Sequence, residues 1–141
     1  MALVLVVANR TATTAALSEA VRNRAAQGDA TFHLVVPSHP HGLHRVVDPQ
    51  DVDRGEAQSA LAEALPMLSD AAGAEVTGEV GDPEPLAAIQ DAVNLRGADE
   101  IIISTLPGRV SRWLRLDLVS KARGLGLPVT HVEAEVPAGV A

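Results

Sequence analysis

Two stretches of this chain, Leu3 to Val7 and Ile101 to Ile103, are apolar at every position rather than at every second one. A strand with one face in water alternates between apolar and polar residues. A strand that does not alternate must be covered on both faces, as in the middle of a parallel sheet sandwiched by helices. Whatever else the chain does, it has to supply helices for both sides of that sheet.

The remaining sequence provides them. Short β-branched runs alternate with longer alanine-rich stretches at helical spacing, which is the pattern of repeated strand–helix units. The runs predict five strands: Ala2 to Val7, Thr31 to Val36, Glu75 to Val80, Glu100 to Ser104 and Val129 to Ala134. The spacing between them predicts helices over Thr13 to Gln27, Val52 to Ala72, Pro83 to Arg96 and Arg112 to Arg123, each followed by a glycine that can end it. Asp82 is expected to cap the third helix with Pro83 in its first position. Pro66 is expected to kink or divide the second helix. With 141 residues and 47% apolar composition, one globular domain spanning residues 1–141 is the expected organisation. Its fold class is α/β, a doubly wound five-stranded parallel sheet with helices on both faces. In such sheets ligands sit beyond the carboxyl ends of the strands, where the winding reverses. The loops after the first, third and fourth strands are therefore the ones to inspect.

Charge and cysteine content narrow the functional classes. The chain has no cysteine, which excludes disulfides, thiol chemistry and thiolate metal sites. The opening apolar run is too short for a membrane span and lacks a basic leader, so no membrane association and a cytoplasmic location are expected. A net charge of −7 argues against general affinity for nucleic acid. The distribution is uneven. Between Pro107 and Arg123, five basic residues face one acidic residue, a local +4 that leaves −11 for the rest. Such an island can hold a small polyanion or form a solvated helix face.

The segment from Ala74 to Thr105, with its Gly81-Asp82-Pro83 turn and Ala98-Asp99 ahead of an isoleucine run, resembles the third strand, third helix and fourth strand of universal stress proteins. The opening strand and the closing Leu127 to Val132 fit the same plan, so the resemblance spans nearly the whole chain. It implies the strand order 3-2-1-4-5 and a homodimer paired through the last strand, Val129 to Ala134. Nucleotide-binding members carry G-x2-G-x9-G-(S/T) after the fourth strand. Without gaps, this chain has Ser104, Pro107, Asp117 and Leu118 at those four positions. Proline there removes an amide donor, and an aspartate repels phosphate. Where the family often has an aspartate at the end of the first strand, this chain has Ala8, followed by Asn9.

The loop from Ser104 to Arg112 nevertheless keeps hydroxyls, a glycine and two guanidiniums, and arginine pairs bidentately with phosphate oxygens. The resemblance thus implies a site for ATP, another adenine nucleotide with magnesium, or a different phosphorylated small molecule. Its candidate residues are Ala8, Asn9, Arg10, Val36, Gly81, Ser104, Thr105, Gly108, Arg109, Ser111 and Arg112. The alternative is a homodimeric scaffold of the same fold without a ligand.

Three further features have two readings each. His39, His41 and His44, with His33 nearby, form either a site for zinc, nickel or copper or a solvated turn-rich loop. His131 either titrates near neutral pH at a buried edge or points to solvent. Trp113 is a core or interface anchor. No nucleophile elbow, phosphate loop or metalloprotease helix is present. Phosphate-ester hydrolysis beside Arg109 is the one enzymatic candidate, because electrostatic stabilisation is the one catalytic device available.

Overall fold

The computed structural model describes residues 1–38, 54–108, 111–115 and 117–134. Five strands, β1 (Ala2–Val7), β2 (Ala30–Pro37), β3 (Thr77–Gly81), β4 (Glu100–Thr105) and β5 (Val129–Glu133), form one parallel sheet in the order β3-β2-β1-β4-β5. The helices are α1 (Ala15–Gln27), α2 (Arg54–Ala72), α3 (Pro85–Arg96), α4 (Arg112–Arg115) and α5 (Leu118–Arg123).

β1 lies at the centre because its side chains serve two cores. Val4, Val6 and Ala8 join Leu17, Val21, Ala64 and Leu68 on the α1/α2 side. Leu5 and Val7 join Ile89, Ala92, Trp113 and Leu118 on the other side. β4 divides in the same way, with Ile102 in the first cluster and Ile101 and Ile103 in the second. Each fully buried side chain of this kind contributes roughly 1.5–3 kcal/mol relative to exposure. Trp113 is buried in the second core and is therefore an anchor of the fold.

Several local expectations are corrected. Pro66 lies within α2, which runs through it from Arg54 to Ala72 without dividing. Pro66 and Ala62, whose carbonyl loses its helical partner, both face solvent, where water can satisfy that carbonyl. The cap of α3 is Glu84, with Pro85 at the start of the helix. Asp82 instead accepts a hydrogen bond from the Glu84 amide at 2.9 Å, so the cap sits two residues later than the Asp-Pro pair suggested. The glycine stop at Gly97 is as expected, with φ +71° and its amide donating to Val93 at 2.8 Å. The predicted fourth helix is two short ones separated at Asp117, the one non-glycine residue with positive φ among those described (+60°). That left-handed conformation suits glycine best and is tolerated by aspartate.

β3 is held against α2 by the lack of a side chain at Gly78, where an added Cβ would meet Leu61 Cδ1 at 2.6 Å and Leu65 Cδ2 at 3.0 Å. Gly78→Ala is expected to lower stability by about 1–3 kcal/mol through overpacking, measured by urea unfolding. Asp117→Val is expected to cost about 1–2 kcal/mol, because a β-branched residue resists the left-handed region.

Candidate functional site

The winding of the sheet reverses between β1 and β4. After β1 the chain leaves toward α1, and after β4 it leaves toward α4 and α5, so the two loops part at the carboxyl ends of these strands, the place where sheets of this kind hold ligands. The first loop is tightly folded on itself. Ala8 donates to the Val35 carbonyl at 3.2 Å, and the Ala12 amide donates to the Asn9 carbonyl at 3.1 Å. The buried Asn9 side chain accepts from the Arg10 amide at 2.6 Å through Oδ1. Thr14 then caps α1, its hydroxyl donating to the Thr11 carbonyl at 2.7 Å and accepting from the Leu17 amide at 3.4 Å. Arg10 reaches outward to Glu56 on α2 at 3.8 Å.

The two loops are joined by hydroxyls. Thr11 Oγ1 and Ser104 Oγ lie 2.6 Å apart and both residues are fully buried. Thr105, equally buried, pairs through Oγ1 with His131 Nε2 on β5 at 2.8 Å. Its carbonyl accepts from the Ala134 amide at 2.9 Å. Burial holds the His131 imidazole below its ordinary pKa; the Glu133 carboxylate opposes that shift and the Arg123 guanidinium reinforces it. Farther along, the Ser111 amide donates to the Pro107 carbonyl at 2.9 Å, and the Ser111 hydroxyl accepts from the Leu114 amide at 3.2 Å, capping α4.

Of the residues singled out from the sequence, Ala8, Asn9, Arg10, Ser104 and Thr105 lie together at the ends of β1 and β4. Val36 and Gly81 lie at the ends of β2 and β3, with Val36 in the α1/α2 core and Gly81 on the opposite face against Val35. Gly108 is exposed, and Ser111 is buried. Arg109, His39, His41 and His44 lie outside the described residues, and of Arg112 only the backbone is described. Among the described residues no group of three His, Asp or Glu side chains gathers as metal ligands. No helix among them is long and apolar enough to cross a membrane.

The sequence reading missed Thr11, whose signal was only a threonine-rich turn after a buried strand. It also missed the partners of His33. That residue is buried on β2, with Nδ1 2.7 Å from Thr77 Oγ1 and Nε2 2.9 Å from Glu79 Oε2. Both ring nitrogens are thus occupied by the neighbouring strand. Burial pushes the Glu79 carboxyl up, but the hydrogen bond and charge of His33 together with the nearby Arg96 guanidinium, 3.5 Å away, outweigh it and leave the group below its ordinary value.

No family profile matches this sequence, and no curated protein matches it either. Solved structures do match in fold. A universal stress protein from Archaeoglobus fulgidus is 20% identical, with 94% of this chain and 93% of that one covered at a TM-score of 0.65. A universal stress protein in complex with cAMP is 17% identical over 94% and 96%, with a TM-score of 0.66. The Archaeoglobus fulgidus protein in complex with dAMP is 21% identical over 94% and 97%, with a TM-score of 0.60. The chain has the universal stress protein fold.

Removing one member of the buried hydroxyl pair strands the other. Ser104→Ala and Thr11→Val are each expected to cost about 1–3 kcal/mol, and the double variant less than their sum, as read from a double-mutant cycle of urea unfolding. His131 has a second signature. Because its folded-state pKa lies below the ordinary 6.5, the unfolded chain takes up the proton first. Stability is expected to fall as pH drops from about 6.5 through the folded value. His131→Gln should flatten that part of a thermal unfolding profile.

Proposed function

We propose that this chain is a universal-stress-protein-like binding protein for an adenine nucleotide or another phosphorylated small molecule, held in the crevice beyond β1 and β4. The observation that supports the reading is the meeting of the loops after β1 and β4 through Thr11 and Ser104 at the point where the winding reverses, with Asn9, Arg10 and Thr105 next to them in the chain. Two solved proteins of this fold are described in complex with cAMP and dAMP, which supports an adenine nucleotide as the ligand. In this reading the phosphates lie toward the loop after β4. Arginines at 109 and 112 and the hydroxyl of Ser111 do there what backbone amides do in a glycine-rich loop. Ser104, Thr105 and Asn9 line the inner end, with Ala8, Val36, Gly81 and Gly108 around them. Magnesium accompanies a triphosphate ligand.

A second reading rests on β5. Among the described residues it pairs only with β4, and its other edge carries no strand. An open edge of this length favours pairing with a second copy, and the chain then acts as a homodimeric scaffold. Sedimentation is expected to show a dimer, and a monomer at micromolar concentration overturns this reading.

Ligand binding is tested by thermal unfolding with and without ATP or cAMP, each in the presence of magnesium. At about 100 times the dissociation constant a ligand adds about 2.7 kcal/mol, a clear shift in melting temperature. Arg109→Ala/Arg112→Ala is expected to abolish that shift without changing the unfolding of the unliganded protein. The absence of any shift in the unaltered protein would discard the nucleotide reading.

A further inference from the structure

A groove of about 350 Å³ lies on the α3 face of the sheet at β3, and Gly81 is the one residue it shares with the site proposed beyond β1 and β4. It exists because α2 and α3 cover different amounts of the sheet. α2 packs directly on β3, where Gly78 admits Leu61 and Leu65. On the opposite face α3 lies over β1 and β2 instead, and the corresponding face of β3 is left open beside it. Val35, Ala88 and Ala92 form a nearly buried apolar floor, Leu95 supplies the exposed apolar surface, and the rest of the lining is largely polar. Leu95 is 81% exposed, and among the described large apolar residues only Met1 is as exposed. Gly81 has no side chain because Val35 and Ala88 pack against it, where an added Cβ would meet Val35 Cγ1 at 2.8 Å.

The rim is acidic. Glu79, Asp82 and Asp91 line it, and no basic side chain does. Glu79 is already engaged by His33 at 2.9 Å and Arg96 at 3.5 Å, and Asp82 and Asp91 leave the groove net negative. β3 is also an edge strand among the described residues, paired only with β2. Its five residues contain neither lysine nor proline, two of the common devices that block strand addition.

We propose that the β3 edge and its groove are a docking site for an extended cationic peptide segment of a partner protein. The segment adds to β3 as a further strand. Main-chain bonds then come from the strand edge and specificity from alternate side chains. Those on the α3 side are lysines or arginines. Their methylene stems lie over Leu95, and their cations reach Asp91 and Asp82, which matches the division of a long basic side chain into an apolar stem and a charged head. The complementary charge selects this occupant over an acidic or purely apolar one.

The test uses the full chain and an acetylated peptide of alternating lysine and valine, with an alternating glutamate and valine peptide as counterpart. Backbone amide shifts and fluorescence polarisation are recorded. The basic peptide is expected to bind with saturable affinity, perturbing the amides of β3 and the exposed face of α3. Binding should weaken between about 50 and about 500 mM salt. Asp91→Lys and Leu95→Lys, both at exposed positions of α3, are expected to weaken it by about tenfold or more, while melting temperature and any nucleotide response stay unchanged. Equal binding of the acidic peptide, indifference to both substitutions, or shifts confined to other elements would overturn the proposal. So would absence of binding. Perturbation of the same amides on raising the concentration of the protein alone would overturn it in favour of a second copy as the occupant.

Discussion

Burial of β1 on both of its faces is the constraint from which the rest of the architecture follows. A strand whose successive side chains enter two separate cores must have sheet neighbours on each edge and helices over each face. The register of β1 with β2 and β4 supplies the first, and the two clusters around Leu17 and Leu68 and around Ile89 and Leu118 supply the second. Such a strand cannot sit at an edge without exposing backbone donors or apolar surface. Its central position obliges the chain to wind outward in both directions, and the carboxyl ends of β1 and β4 become the place where loops diverge.

Divergence creates a polar problem as well as a crevice. The strand ends carry backbone and hydroxyl groups into a region where little water penetrates, and each has to find a partner. The protein answers with short local bonds. Asn9 turns back to the Arg10 amide, Thr14 closes the first turn of α1, and Thr11 and Ser104 satisfy each other across the two loops. Thr105 is met by His131 from β5. The opposite edge has a different economy. His33, Thr77, Glu79 and Arg96 form a chain of polar contacts beside the groove, whose negative sign comes from Asp82 and Asp91.

Much of the fold was legible because two periodicities suffice to distinguish doubly covered strands from amphipathic helices. The runs at Leu3–Val7 and Ile101–Ile103 and the glycine at 97 acted through local physics, and the structure agrees with each. Misreadings arose where two local rules compete. Pro66 obeys a steric rule that a solvent-facing carbonyl can evade. Asp82 and Glu84 both precede a proline, and which of them caps α3 depends on where the helix meets the sheet. Asp117 breaks the final helical stretch through a backbone conformation that no side-chain pattern encodes.

The candidate site divides along the same line. The sequence by itself determined that β1 and β4 are covered on both faces, that strands and helices alternate, and that hydroxyls and basic residues follow β4. The first two are consequences of periodicity. The strand order that puts the reversal between β1 and β4 came from the resemblance to universal stress proteins. Only the tertiary structure decided that Thr11 meets Ser104, that His131 meets Thr105 and that both nitrogens of His33 are taken by β3. Those pairs join residues between 26 and 93 positions apart. Contacts at such separations are set by the register of one strand against another and by how far each helix covers the sheet, and neither quantity is written in any local pattern of residues.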